Sequence, residues 1–469
     1  MNNLALTRIC FDSRSCEPDC LFVAVRGVAV DGHNYIDKAI EDGARVIVCE
    51  AFPEVTEENI TYIKVKDSSK ALGILAANFY DNPSEEIQLV GVTGTNGKTT
   101  VATLLYDVFS GLNFKVGLIS TVTYKIGKTS YPSTHTTPDV IRINELLREM
   151  ISAGCRYCFM EVSSHALDQN RTHGLQFDGG IFTNISRDHL DYHGDINTYI
   201  KVKKKFFDQL GKEAFALVNV DDKHAPSMLL DTKARQKSYS LNAVSDFKAK
   251  ILESHFDGTL IQINGIDIYT RLIGRFNVYN VMAVFAVAEE LGVDQLQVLT
   301  ILSCLQPVKG RFEQIRSNNG IVAIVDYAHT PDALKNVLET IQSIRTSEQK
   351  VYCVVGCGGD RDTGKRPQMG KIAVLLSDQV ILTSDNPRTE DPNRIILDME
   401  NGLTDNEKFK TLSIADRRTA IKAVVRMAAK DDIILIAGKG HEDYQEIQGV
   451  KHHFDDMEEV ISCFKALEN

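Results

Sequence analysis

Residues 89–100 read L-V-G-V-T-G-T-N-G-K-T-T, and the organisation of the whole chain follows from this stretch. Leu89 to Val92 is a short apolar run that suits a buried strand. It breaks into a turn with Gly94 and Gly97. Lys98, Thr99 and Thr100 then open an amphipathic helix that runs on through Val101 to Phe109. Glycines let backbone N–H groups approach phosphate oxygens, and a helix N-terminus adds partial positive charge. Strand, loop and helix together therefore make a phosphate cradle from Gly94, Thr95, Asn96, Gly97, Lys98, Thr99 and Thr100. Lys98 would reach the β- and γ-phosphates, and a Thr hydroxyl would hold Mg2+. The loop is shorter than G-x-x-x-x-G-K-[ST], which would need Gly where Val92 stands. A tight strand–helix turn that merely carries Lys is the alternative.

Outward from this loop, strands and helices alternate on both sides, the pattern of α/β domains built on mostly parallel sheets. At 469 residues the chain exceeds one core. The turn D-N-P-S (Asp81–Ser84) and the segment Q-P-V-K-G-R-F (Gln306–Phe312) mark two boundaries. Three domains are expected: a small N-terminal α/β unit, residues 1–84; a central P-loop mononucleotide-binding unit with a parallel sheet, 85–308; and a C-terminal Rossmann-like α/β unit, 309–469. In the second unit, G-R-F-N-V-Y-N (Gly274–Asn280) precedes a strongly amphipathic helix from Val278 to Leu291. In the third, each strand delivers polar residues at its carboxyl end, where open α/β sheets bind ligands.

Bulk properties exclude several classes. Apolar residues make up 43% and charged residues 25%, as in ordinary globular proteins. The net charge of −11 argues against nonspecific nucleic-acid binding, which needs a basic face. No window is apolar enough to span a bilayer, and the N-terminus lacks a signal-peptide pattern. Ten cysteines are scattered along the chain, with one C-x-x-C at Cys155 and Cys158. Buried thiols in a reducing cytoplasm are the expectation, with a zinc or redox pair the alternative.

Three groups of residues could carry chemistry. Glu161 ends a strand, and N-I-S-R-D-H-L-D-Y-H-G (Asn184–Gly194) crowds two Asp and two His into one loop. A carboxylate and an imidazole beside a phosphate loop suit Mg2+; no H-E-x-x-H zinc pairing is present. In K-V-K-K-K-F-F (Lys201–Phe207), Lys203 falls near the apolar helix face, where a buried Lys must lose its charge, pair or be modified. Spacing alone does not single it out from a solvated basic run. In D-N-P-R-T-E-D-P (Asp385–Pro392), a rigidly presented Arg388 suits a carboxylate in a bidentate fork, and Arg361 in G-D-R-D could do likewise. Surface salt bridges are the bland reading there. Ser13 and Arg14 in D-S-R could bind an anion, or form a solvated turn.

Taken together, G-T-N-G-K-T-T, E-V-S-S-H-A-L, D-H-L-D-Y-H-G, G-R-F-N-V-Y-N, D-Y-A-H-T-P-D-A-L, D-N-P-R and G-K-G-H-E-D-Y-Q occur in the order seen in the Mur ligase family. The chain resembles that family's diaminopimelate-adding members over essentially its whole length. The resemblance implies ATP-dependent amide ligation through an acyl phosphate in the bacterial cytoplasm, with UDP-MurNAc-L-Ala-D-Glu and meso-diaminopimelate as small-molecule substrates and a monomeric enzyme. It implies Thr99, Glu161 and His189 as Mg2+ ligands beside Lys98. Lys203 becomes a CO2-derived carbamate that helps place a second Mg2+. Ser13, Thr136, Thr137, Ser163, Gln169 and Arg171 would hold the UDP-linked dipeptide. Asn277, Arg311 and Asp326 would line the ATP site. Arg361, Asp385, Asn386, Pro387, Arg388, Gly438 and Glu442 would hold the amino acid. Arg388 would meet the distal carboxylate of diaminopimelate. A lysine substrate would leave it buried and unpaired, a loss of ~3–5 kcal/mol. A lysine-adding or folylpolyglutamate-type ligase is the alternative within the class, and a P-loop kinase the alternative outside it.

Overall fold

The computed structural model describes residues 5–27 and 30–468. Its described residues build three α/β domains, each around its own sheet. The first sheet runs Ile9–Cys10, Cys20–Val23, Ala44–Cys49, Thr61–Lys64, in that order and all parallel. The helix Ile36–Glu41 follows the short turn Gly32–Tyr35, and the chain turns at Gly43 into the next strand.

The second sheet has eleven strands, with Gln88–Thr93 near its centre between Tyr157–Glu161 and Gly179–Phe182. All three are parallel, fully buried but for Gln88, and rich in β-branched or aromatic residues, as a two-sided interior sheet requires. The flanks depart from the parallel expectation: Thr123–Ile126 and Thr129–Pro132 close one edge, and Phe247–His255, Gly258–Ile263 and Ile266–Thr270 close the other, through antiparallel pairings. The strand Val116–Ile119 ends before Ser120. The chain turns aside there because the Thr121 N–H donates to Glu161 Oε1 at 2.7 Å.

The helix expected to be strongly amphipathic is not. It runs Arg275–Glu290, and eleven of its sixteen residues are buried, Asn277 and Asn280 among them. It lies in the same core as the phosphate-loop helix Lys98–Gly111 and the strand Phe215–Asn219. A helix covered on all sides carries no polar face to give it a clear period.

The third sheet runs Glu313–Arg316, Val322–Asp326, Ile433–Ala437, Val351–Cys357, Gln379–Ser384, Thr411–Ser413, parallel except at its first pair. Beneath it Arg417 forms a fully buried ion pair with Asp456, Nη2 to Oδ2 2.7 Å, and caps the Ala437 carbonyl. This ties the last helix to the sheet. Cys155 and Cys158 are both buried and unpaired, and burial pushes the Cys158 thiol well up.

Candidate active site

The carboxyl ends of the central and third sheets face each other across one cavity of about 1360 Å³. This is where an open parallel sheet admits ligands. The phosphate loop forms its floor. Gly94 has φ +150°, and a Cβ there would lie 1.9 Å from Thr183 Oγ1; Gly97 has φ +89° and starts the helix. The loop is held from the next strand: Thr95 N–H donates to the Asn184 carbonyl at 2.8 Å, and Asn96 N–H to Asn184 Oδ1 at 3.0 Å. Thr100 lines the cavity beside them.

Two lysines converge on one carbonyl. Lys98 Nζ donates to Gly94 O at 2.9 Å and Thr95 O at 2.7 Å. Lys203 Nζ donates to the same Gly94 O at 2.8 Å. Lys203 is 1% exposed and sits over the Tyr199 ring, whose hydroxyl meets Thr95. Desolvation first, then repulsion from Lys98, pulls its amine well below the usual lysine range, against a weaker pull from Asp188. Two ammonium groups bound to one oxygen lie less than about 6 Å apart and would repel by roughly 3 kcal/mol at an effective dielectric of ~20. Its neighbours differ: Lys201 is exposed, Lys204 pairs with Asp208, and Lys205 with Asp168. Burial therefore selects the lysine that spacing left undecided.

Sheet register places Glu161 beside Val92, two residues before Gly94. Its carboxylate is 0% exposed. It accepts from Thr99 Oγ1 at 3.0 Å and from the Thr121 N–H, and no Lys, Arg or His lies in ion-pair contact among the described residues. A buried carboxylate without a cation is costly. His189 lines the same cavity, with Nε2 3.3 Å from Asp188 Oδ2. Burial, only partly opposed by Asp188, lowers this imidazole to about 3, leaving it neutral at pH 7. Burial works against the Asp188 charge, but His189, His329, Lys365 and Lys98 outweigh it and bring the carboxyl to about 2.

The third domain closes over this floor. Arg311 Nη2 donates to Thr99 Oγ1 at 3.1 Å and its guanidinium lies on the Tyr327 ring. Asn96 Nδ2 donates to Asp332 Oδ2 at 3.0 Å, and Arg187 pairs with Asp362 at 3.4 Å. Asp326 lines the cavity and accepts from the Phe312 N–H at 2.7 Å. Burial raises its carboxyl to about 6, although Arg311 opposes the rise.

On the opposite wall, Arg361, Arg388 and Glu442 open into the cavity. Asp385, Asn386, Pro387 and Gly438 lie behind this surface. Asn386 Nδ2 donates to Glu442 Oε2 at 2.8 Å, and a Cβ on Gly438 would meet Asp385 Oδ2 at 2.7 Å. Arg388 has positive φ, donates to the Gly359 carbonyl at 2.7 Å and pairs with Glu446 at 3.4 Å. It is about one-fifth exposed, so it is not the unpaired buried cation that the sequence suggests. Glu446 and residual water would blunt the penalty against a lysine substrate.

Thr136, Thr137, Ser163 and Arg171 line the cavity on the side of the first domain. Thr137 Oγ1 donates to the Glu161 carbonyl at 2.8 Å, and Arg171 Nη1 to the Thr137 carbonyl at 2.8 Å. Gln169 sits behind, accepting from Arg171 at 2.7 Å. Ser13 is buried in its own turn, off the cavity wall. Arg14 is bound to Asp12 and 88% exposed, which fits the solvated-turn alternative. Asn277 is also off the wall: its amide donates to the Ile273 carbonyl at 2.8 Å and its oxygen accepts from Asn280, which does reach the cavity. A shift of three residues along a mostly buried helix decides which Asn is presented.

Sequence reasoning missed Lys439. It is 0% exposed, within 3.1 Å of Asn386 Oδ1 and Glu442 Oε2 and 3.7 Å from Asp385. Burial and Asp385 raise the Glu442 carboxyl, and Lys439 counters them. It also missed His329 and Asp332, although both lie in D-Y-A-H-T-P-D. The signal was a second polar strand end whose partner could be known only from the fold.

Comparison with known proteins agrees with this geometry. Three family models match in order: the Mur ligase family catalytic domain at residues 6–80, the Mur ligase middle domain at 92–288, and the Mur ligase glutamate ligase domain at 310–440. The UDP-N-acetylmuramoyl-L-alanyl-D-glutamate–2,6-diaminopimelate ligase of Parabacteroides distasonis is 56% identical, over 99% of this chain and 96% of that protein. The protein of the same name from Chlorobaculum tepidum is 41% identical, over 98% and 93%. A solved structure of a ligase of that name superposes with a TM-score of 0.71 at 33% identity, covering 99% of this chain and 96% of its own. MurF ligase from Thermotoga maritima in complex with ADP shares the fold, with a TM-score of 0.63 at 19% identity over 100% and 99%.

Proposed function

The chain belongs to the Mur ligase family, and from that membership we infer that it is an ATP-dependent ligase joining meso-2,6-diaminopimelate to the D-Glu γ-carboxylate of UDP-MurNAc-L-Ala-D-Glu, in peptidoglycan synthesis. A single observation carries the reading beyond the names. The phosphate loop, Glu161 and the wall of Arg388 and Glu442 all line one cavity, so a phosphoryl donor, a carboxylate that accepts the phosphoryl group and an amine can meet.

A carboxylate is a poor electrophile, and transfer of the ATP γ-phosphoryl group to it creates a leaving group. The amine then attacks the acyl carbon, the amide bond forms and phosphate departs. Two anions must approach each other first. Lys98, now resting on the carbonyls of its own loop, would turn to the phosphoryl group, and Arg311 would meet it from the third domain. Asp326 would face the nucleotide, with Asn277 acting only through Asn280.

Thr99, Glu161 and His189 fit Mg2+: two oxygen donors already 3.0 Å apart, a buried carboxylate lacking a cation, and a neutral imidazole. Bound there, Mg2+ would screen phosphate charge and polarise the transferring group. Lys203 would carry a carbamate. Its neutral Nζ attacks the carbon of CO2 and loses a proton to water, so a neutral amine becomes an anionic oxygen donor. The burial of Lys203 and its shared carbonyl with Lys98 support this, because carbamylation turns their repulsion into attraction.

The first domain, residues 1–84, would bind the UDP end through Ser13. Thr136, Thr137, Ser163 and Arg171 of the central domain, 85–308, would hold the dipeptide, with Gln169 orienting Arg171. In the third domain, 309–469, Arg388 and Arg361 would take the distal carboxylate of diaminopimelate. Asp385, Asn386, Pro387, Gly438 and Glu442 would shape the amine pocket. Among the described residues no helix is long and apolar enough to cross a membrane. The ten free cysteines favour the reducing cytoplasm, and all the residues proposed for the site come from one chain, which supports a monomer.

The test is phosphate release from ATP in the presence of UDP-MurNAc-L-Ala-D-Glu, with meso-diaminopimelate, with lysine, or with neither. Sustained release only with diaminopimelate is expected. Release with lysine alone would make it a lysine-adding ligase, and ADP formation without any amine would make it a kinase or hydrolase.

A further inference from the structure

The N-terminal domain contains a group of side chains that the ligation reaction does not use. Cys10 ends the first strand, Cys16 caps the short turn Ser13–Ser15, and Cys20 begins the next strand. Cys10 Sγ lies 3.3 Å from Cys16 Sγ and 3.8 Å from Cys20 Sγ, and all three sulfurs fall within 4.8 Å of one another. No other group of three His, Cys, Asp or Glu side chains among the described residues is so compact. Cys10 and Cys20 are buried, whereas Cys16 is half-exposed.

We propose that Cys10, Cys16 and Cys20 form a three-thiolate site for a thiophilic divalent cation of the Zn2+ class, with its fourth position open to solvent beside Cys16. Tetrahedral zinc with Zn–S of ≈2.3 Å sets its sulfurs about 3.8 Å apart. One edge of the triangle already has that length, and the others need only side-chain rotation on a backbone held by the parallel sheet. Binding breaks three S–H bonds, forms three metal–sulfur bonds and releases three protons to water. The site then carries one net negative charge with a divalent ion and two with Cu+, and partial burial favours the smaller charge. Arg14, the basic residue of the turn, is taken by Asp12 and does not compete. Cys16 is already biased toward thiolate by its bonds to Cys10 and Cys20, while Cys10 is pushed up by its bond to Cys16 and by burial. The spacing C-x5-C-x3-C matches no common zinc pattern, because two ligands come from adjacent strands and one from the turn between them.

The test uses the full-length reduced protein freed of metal, titrated with Zn2+ against a chromogenic chelator and with Co2+ for its thiolate charge-transfer band. One equivalent bound, a thiolate band, and a raised melting temperature are expected. Cys16→Ser, whose side chain is half-exposed, should weaken binding at least roughly tenfold and abolish the melting shift, while its circular dichroism and basal ligase activity match wild type. Cys155→Ser should bind as wild type. No thiolate band in wild type would overturn the proposal. So would an undiminished band and affinity in Cys16→Ser, or a band lost in Cys155→Ser.

Discussion

Gly94 offers one carbonyl oxygen to two lysines, and the consequences are local. Lys203→Ala removes the buried amine and, with it, the anionic donor that a carbamate would supply. Turnover should fall by roughly 10²–10³-fold, the scale seen when one preorganised electrostatic group is lost. Partial recovery on adding a small carboxylic acid would show that a carboxylate-like oxygen is what was missing. Retained activity would assign the modification elsewhere. Arg388 tests the other wall. Its bonds to Gly359 O and Glu446 hold the guanidinium in place at the cavity wall. Removing a charge-assisted hydrogen bond costs about 1.5–3 kcal/mol, so Arg388→Ala should raise KM for diaminopimelate roughly tenfold or more and leave KM for ATP nearly unchanged. Equal rises in both would refute direct contact. The type of each residue was readable, but its solvation was not. Lys203 among four lysines became distinct only once packing had buried it, and Arg388 acquired Glu446 from a hairpin 58 residues away in sequence.

At the scale of elements, the strand–loop–helix unit came through nearly as its residues suggest, because local rules govern it: β-branched strand, glycine turn, helix start. The structure adds why Gly94 must be glycine. Gly94→Ala would drive a methyl into Thr183 Oγ1, displacing the Thr183 bond to Asn96 O. ATP affinity should drop more than tenfold, measured by isothermal titration, while far-ultraviolet circular dichroism stays close to wild type. Normal affinity would mean that the loop tolerates another shape. The helix Arg275–Glu290 marks where local rules stop. Its sequence promised one apolar face, and the core took all of them. Asn277 was therefore drawn inward to its own backbone, and Asn280 stands at the cavity instead.

For the whole molecule, domain closure and proton linkage are the measurable properties. Asn96–Asp332 and Arg311–Thr99 are hydrogen bonds between domains. Asp332→Ala should loosen closure, increasing the radius of gyration of the free protein in X-ray scattering and lowering kcat several-fold. An unchanged radius would assign closure to other contacts. Asp326 links stability to pH. Its carboxyl is raised from 3.8 to about 6 in the fold, so the folded state holds the proton more tightly than the unfolded chain. That contribution is fully present below 3.8 and is lost as pH rises through about 6. It amounts to about 3 kcal/mol at 1.36 kcal/mol per pKa unit. Relative to Asp326→Asn, wild type should lose stability between pH 4 and 7, as followed by chemical unfolding. A parallel pH course in the two proteins would show that Asp326 is not desolvated.

By itself the sequence determined the α/β class, the three units, the phosphate loop and the order of motifs that carries the family resemblance. These rest on periodicity, turn chemistry and residue type, all properties of short stretches. Tertiary structure alone decided which Lys is buried, which Asn faces the cavity, that Glu161 lies beside the glycine loop, and that Arg311 crosses to Thr99. It alone gathered Cys10, Cys16 and Cys20. Each of these depends on sheet register and desolvation, which are set by contacts between segments far apart in the chain, and no local pattern records them.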